Sequence, residues 1–152
     1  MAKTLPFTRP AQTTKARRNK AMLLPMPRAS ADDVALQVHL SLALLRSGAG
    51  PENAEALLHA HVQAATMADA GYGDLTQEQV DAADAALLAC FERGRSGGGW
   101  RLDEAGFAAL TEIVRVFDEQ LQRAPLWLLA EASDRLDRMR AGEARRDLRK
   151  MA

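Results

Sequence analysis

Five apolar side chains, Phe107, Leu110, Val114, Phe117 and Leu121, recur at alternating steps of three and four. Steps of that size return to one side of an α-helix at every turn, whereas a strand would scatter them over both faces. Ile113 and Val116 widen the stripe, which predicts a core helix of about five turns rather than the narrow seam of a coiled coil. A face that broad needs several neighbours to cover it, and the rest of the chain has to supply them.

It does so with helix-forming material. Ala, Leu, Glu, Gln and Arg prevail, and aromatic residues make up only 5% of the 152; straight side chains lose little rotamer freedom in a helix. Turn residues then divide the chain into five helices. The first has Ser30 as N-cap and Asp32 and Asp33 in its opening turn, and it stops at residues 48–50. Val34, Val38, Leu42 and Leu45 form one stripe on it, and Leu36, Leu40 and Leu44 a second, which predicts burial on two sides. The second helix opens at Pro51, turns Ala54, Leu57, Leu58, Val62, Ala65 and Ala68 inward, and ends at residues 71–73. Thr76 and Gln79 form a capping box for the third, whose inward residues are Val80, Ala83, Leu87, Cys90 and Phe91 and whose close is Gly94.

A flexible connector follows over residues 93–101, with Trp100 tucked back on the body. The fourth helix starts at Asp103 and breaks at Ala124 and Pro125. The fifth carries Leu128 or Leu129, Ala132, Leu136 and Met139 inward, pairs Glu131 with Arg135 and Asp134 with Arg138 outward, and frays after Gly142. Short links make neighbours antiparallel. The expected fold is all-α, a five-helix, mostly up-and-down bundle with a disordered basic N-terminal arm.

Charge divides the chain the same way. Residues 1–28 hold seven basic side chains and no acid; residues 29–142 hold nine arginines against eighteen acids; residues 143–152 return to a net of plus two. The net charge of zero therefore hides a basic arm, an acidic helical body and a polar tail. The arm contains four prolines and no helical apolar period, so burial would not offset its ordering entropy. Its apolar residues Met22, Leu23, Leu24 and Met26 either dock on the body as an extended clip or stay solvated.

Catalytic and metal chemistry find little footing. His59 and His61 are two apart and point in nearly opposite directions from a helix, and Glu55 with His59 offers two ligands where zinc needs at least three. Glu55 and His59 read as a solvated pair, with His61 at the edge of the buried stripe. Cys90 is the one cysteine and reads as a small core residue in a reducing, cytoplasmic setting. The run of residues 96–100 lacks the Lys-Ser/Thr of a phosphate loop. Arg93, Arg95 and Arg101 flank it and remain an alternative phosphate contact. No nucleophile, base and orienting group fall into a recognisable arrangement, so neither an enzyme nor a cofactor is expected. No apolar run approaches the roughly 18 residues of a membrane span. An Arg-rich, acid-free N-terminus also has the composition of an organelle transit peptide.

Residues 98–100 (Gly-Gly-Trp), Leu102 with Asp103, and residues 118–121 (Asp-Glu-Gln-Leu), behind a basic arm, resemble short bacterial and mobile-element proteins named Fis-family transcriptional regulators. The resemblance implies DNA regulation. The chain departs from the Fis reader, because its last two helices meet at Ala124 and Pro125 and the last one presents mixed charge rather than a basic recognition row. No functional residue carries over.

The functional candidates are Lys15, Arg17, Arg18, Lys20 and Arg28, whose charges suit the salt-dependent displacement of counterions from DNA or RNA. The reading is a small, non-enzymatic accessory or regulatory protein whose helical body binds a protein partner or itself, with Leu126 and Trp127 as an apolar spot outside the bundle. The alternative is a pure protein-interaction module, an acidic body for a basic partner with no nucleic-acid role.

Overall fold

Asp103 accepts a hydrogen bond from the Gly106 N–H at 2.6 Å and so starts the helix that the sequence marks as central. In the computed structural model, which describes residues 19–151, this helix spans Glu104–Arg123 and is the fourth of five long helices. The others are α1 (Arg28–Ser47), α2 (Pro51–Asp69), α3 (Gln77–Arg95) and α5 (Leu126–Met151), with α4 the central one. Leu110, Ile113, Val114, Val116, Phe117 and Leu121 are all buried along α4, and burying each contributes about 1.5–3 kcal/mol. α4 packs on α1, α2 and α3, while α5 packs on α2.

One end of the bundle is tied together. Ala49, between α1 and α2, donates its N–H to the Trp100 carbonyl at 2.9 Å, and Leu102 donates to the Leu45 carbonyl at 2.9 Å. The Arg101 guanidinium donates to the Ser47 carbonyl at 3.0 Å, satisfying an acceptor that the C-terminus of α1 leaves open. The Trp100 ring meets Phe91 edge to face at 5.3 Å and lies over Gly94, where any Cβ would run into the indole.

At the other end Gln120 is fully buried and its amide nitrogen donates to the carbonyls of Ala64, at 2.9 Å, and Tyr72, at 2.7 Å. Gly73 has φ of +82° there, a left-handed turn that lets the α2–α3 loop press on Val116 and Gln120.

Several expectations need correcting. A single helical turn over residues 19–22 brings the helix count among the described residues to six rather than five. It is closed by i→i+3 bonds from Leu23 to Lys20 and from Leu24 to Ala21, and it is too short to show a period. α1 starts two residues before Ser30, because the Pro27 carbonyl already accepts the Ala31 N–H at 3.0 Å. Asp32 and Asp33 thus fall beyond the first turn. The second leucine stripe is not buried: Leu36, Leu40 and Leu44 are 58%, 53% and 48% exposed, since α1 sits at the edge of the bundle against α2 and α4 only.

On α2 the inward face is rotated to Ala54, Leu57, Ala60, His61, Ala64 and Met67, because neighbours flank it on several sides. α3 runs one residue past Gly94, which serves as the seat of Trp100. Met139 is exposed, and α5 continues without a break from Gly142 to Met151. The Thr76–Gln79 capping box forms as the sequence predicts, with bonds of 3.0 and 3.1 Å.

Candidate functional site

Residues 22–26, α1, α2, α4 and α5 enclose a half-open cavity of about 550 Å³. Val34 and Val38 of α1, Phe117 and Leu121 of α4, and Leu126 and Leu129 of α5 give it apolar walls. Met22 and Met26 roof it. The roof is held where the Leu126 N–H, an unpaired donor of the first turn of α5, bonds to the Leu24 carbonyl at 2.9 Å. The two sequence readings of this segment therefore divide between its residues: Met22, from the helical turn, and Met26 dock on the body, while Leu23 and Leu24 stay 70% and 57% exposed.

Apart from exposed Gln37 of α1, the polar side chains of the cavity gather where α2 meets α5. The Gln63 amide nitrogen donates to Ser133 Oγ at 3.0 Å, and His59 Nε2 lies 3.1 Å from the same oxygen. Burial holds the His59 imidazole below its ordinary pKa, Arg140 adds to that depression, and Asp137 opposes it. With the ring neutral and Gln63 donating, the Ser133 proton is free to point at Nε2. No carboxylate or carbonyl engages the other ring nitrogen of His59 among the described residues, so the third member of a nucleophile–base–orienter set is missing. Glu55, the expected partner of His59, is exposed.

Sequence reasoning missed Gln63 and Ser133. The available signal was a polar residue interrupting an apolar helix stripe: Ser133 stands between Leu129 and Leu136, and Gln63 one turn after His59 among alanines. The other histidines pair elsewhere. Buried His61 bonds Asp84 at 2.6 Å and joins α2 to α3; exposed His39 bonds Asp118 at 2.7 Å and joins α1 to α4. Cys90 is in the core, and burial pushes its thiol above the ordinary range. No three metal-ligating side chains converge among the described residues.

Of the basic candidates, the two among the described residues do not line this cavity. Lys15, Arg17 and Arg18 lie outside the described residues, Lys20 is exposed in the first helical turn, and Arg28 is exposed at the start of α1. The connector arginines have structural work: Arg93 donates to the Arg101 carbonyl at 2.7 Å, Arg95 stacks on Phe91, and Arg101 holds α1. Trp127 is 42% exposed. No helix among the described residues is long and apolar enough to cross a membrane. Compared with family models, curated proteins and solved structures, the chain matches none.

Proposed function

We propose that this chain is a small, non-enzymatic accessory or regulatory protein whose mostly up-and-down helical body pairs with a second copy of itself through α1, while its basic arm contacts nucleic acid. The observation that carries the reading is the exposed row Leu36, Leu40 and Leu44, spaced so that all three point the same way. An apolar ridge at i, i+4 and i+8 is the element that interdigitates with a like ridge on another helix. Charge favours an antiparallel mate. Asp32 and Asp33 lie toward one end of α1 and Arg46 toward the other, so reversal about Leu40 sets acid against base twice.

Sedimentation of the full chain tests the pairing: a dimer that Leu40→Glu converts to monomer supports it, and a wild-type monomer at about 100 μM, far weaker than specific dimers, removes it. Replacing Lys15, Arg17, Arg18 and Lys20 with Gln tests the arm. Binding to a DNA or RNA duplex that falls with salt, and whose salt slope flattens in the variant, supports nucleic-acid contact. An unchanged slope leaves the protein-interaction module as the better reading.

A further inference from the structure

We propose that the cavity beneath Met22 and Met26 binds a small uncharged amphiphile, a molecule with an apolar chain or ring system and one hydrogen-bonding head, with the head seated at His59, Gln63 and Ser133. The site differs in place and chemistry from the α1 leucine row, and the inference stands whether or not that row forms a dimer.

Size comes first. About 550 Å³ falls within the roughly 300–1,000 Å³ of small-molecule sites. Water finds few hydrogen-bond partners here, on the α2–α5 wall and at exposed Gln37 of α1, whereas the valine, leucine and phenylalanine walls reward an apolar body.

Charge comes second. Among the described residues no Asp, Glu, Lys or Arg lines the cavity, so a charged ligand would lose its hydration with no counter-ion from them to replace it.

The head group follows from the unspent hydrogen-bonding capacity of the polar wall. Gln63 uses one amide N–H on Ser133 and keeps a second N–H and its carbonyl oxygen. Ser133 keeps one lone pair after accepting from Gln63 and turning its proton to His59. Together these offer one donor and two acceptors within a single cluster, the complement of a hydroxyl or a primary amide. The roof suits an exchangeable guest, since unbranched thioethers repack around different shapes. Its one backbone hydrogen bond to α5, from Leu126 to Leu24, allows it to lift.

The test uses the full chain and N-phenyl-1-naphthylamine, an uncharged dye that brightens in apolar surroundings. Saturable binding of one dye per chain is expected, with displacement by decan-1-ol or decanamide at least about tenfold more effective than by decanoate at about pH 8, where the acid is ionised. Ala130→Trp fills the cavity from the exposed side of α5 and Ala56→Trp from the half-buried side of α2; each is expected to weaken the dye by about tenfold or more. Gln63→Leu and Ser133→Ala keep dye binding but weaken decanol by about three- to tenfold, the loss of one hydrogen bond. Circular dichroism melts identify any variant that fails to fold, and either tryptophan variant suffices. The proposal is overturned if the wild-type chain gives no saturable signal, if decanoate competes as well as decanol, or if Leu40→Glu abolishes the signal while a folded tryptophan variant retains it.

Discussion

The end of the bundle around Trp100 and the side of it beneath Met22 are built on opposite plans. Around Trp100, two loops are joined by backbone hydrogen bonds, an arginine closes a helix terminus, and a glycine is shaped to an indole face. Beneath Met22, four helices stop short of one another and leave about 550 Å³ unfilled. A protein interior is normally packed to the density of an organic crystal. The contrast separates a region whose contacts fix the fold from one where space has been kept.

Substitutions at the two places should therefore differ in sign and size. Trp100→Ala, which empties the tied end, is expected to cost about 3 kcal/mol, the lower part of the range for aromatic truncation because the ring is only half-buried. A urea midpoint shift worth less than about 1 kcal/mol would erase the contrast. Gly94→Ala adds a single methyl against the indole and should cost about 2 kcal/mol through overpacking. A larger addition at the cavity wall, Ala56→Leu, is expected to change stability by less than about 1 kcal/mol or to raise it, since there is room to receive it.

The smallest effect is a pH response. Burial lowers the His59 pKa, so the unfolded chain gains a proton that the folded chain resists. That contribution to stability is whole above about pH 6.5, the ordinary imidazole value, and is lost as the pH falls from there toward the lowered folded value. His59→Gln should lose less stability than the wild-type chain between neutral and mildly acidic pH in parallel urea titrations. Equal losses would show that His59 does not feel the cavity.

Much of the fold was legible because it rests on local signals. Asp103 and Thr76 with Gln79 each mark a helix start through backbone donors that lie within three residues of the marker, and Pro51 marks one through the N–H it lacks. The α4 stripe identified its own core because the helix is surrounded, so every apolar position on that face meets a neighbour. The α1 stripes misled for the converse reason. Periodicity says that Leu36, Leu40 and Leu44 share a face, and only the placement of the other helices decides whether anything covers it.

The candidate site was harder still. His59, Gln63 and Ser133 come from two helices that are distant in sequence, and each alone looks like an ordinary polar residue. Three residues that the sequence singled out serve the architecture instead: Trp100 seats on Gly94, Asp103 caps α4, and Gln120 binds the carbonyls of α2 and of the loop after it.

The hydrogen bond from Leu126 to Leu24 has a consequence for the order in which the molecule is completed. It closes a loop that runs through α1, α2, α3 and α4, and such long-range closure comes late because its entropy cost precedes its reward. During synthesis the segment at residues 22–26 leaves the ribosome well before the helix that anchors it. Until Ser133 follows, Phe117 and Leu121 lack their cover from α5 and His59 lacks its partner. The cavity is thus the last part of the interior to acquire its shape, and a chain cut before α5 would present that apolar surface to whatever molecule it met first.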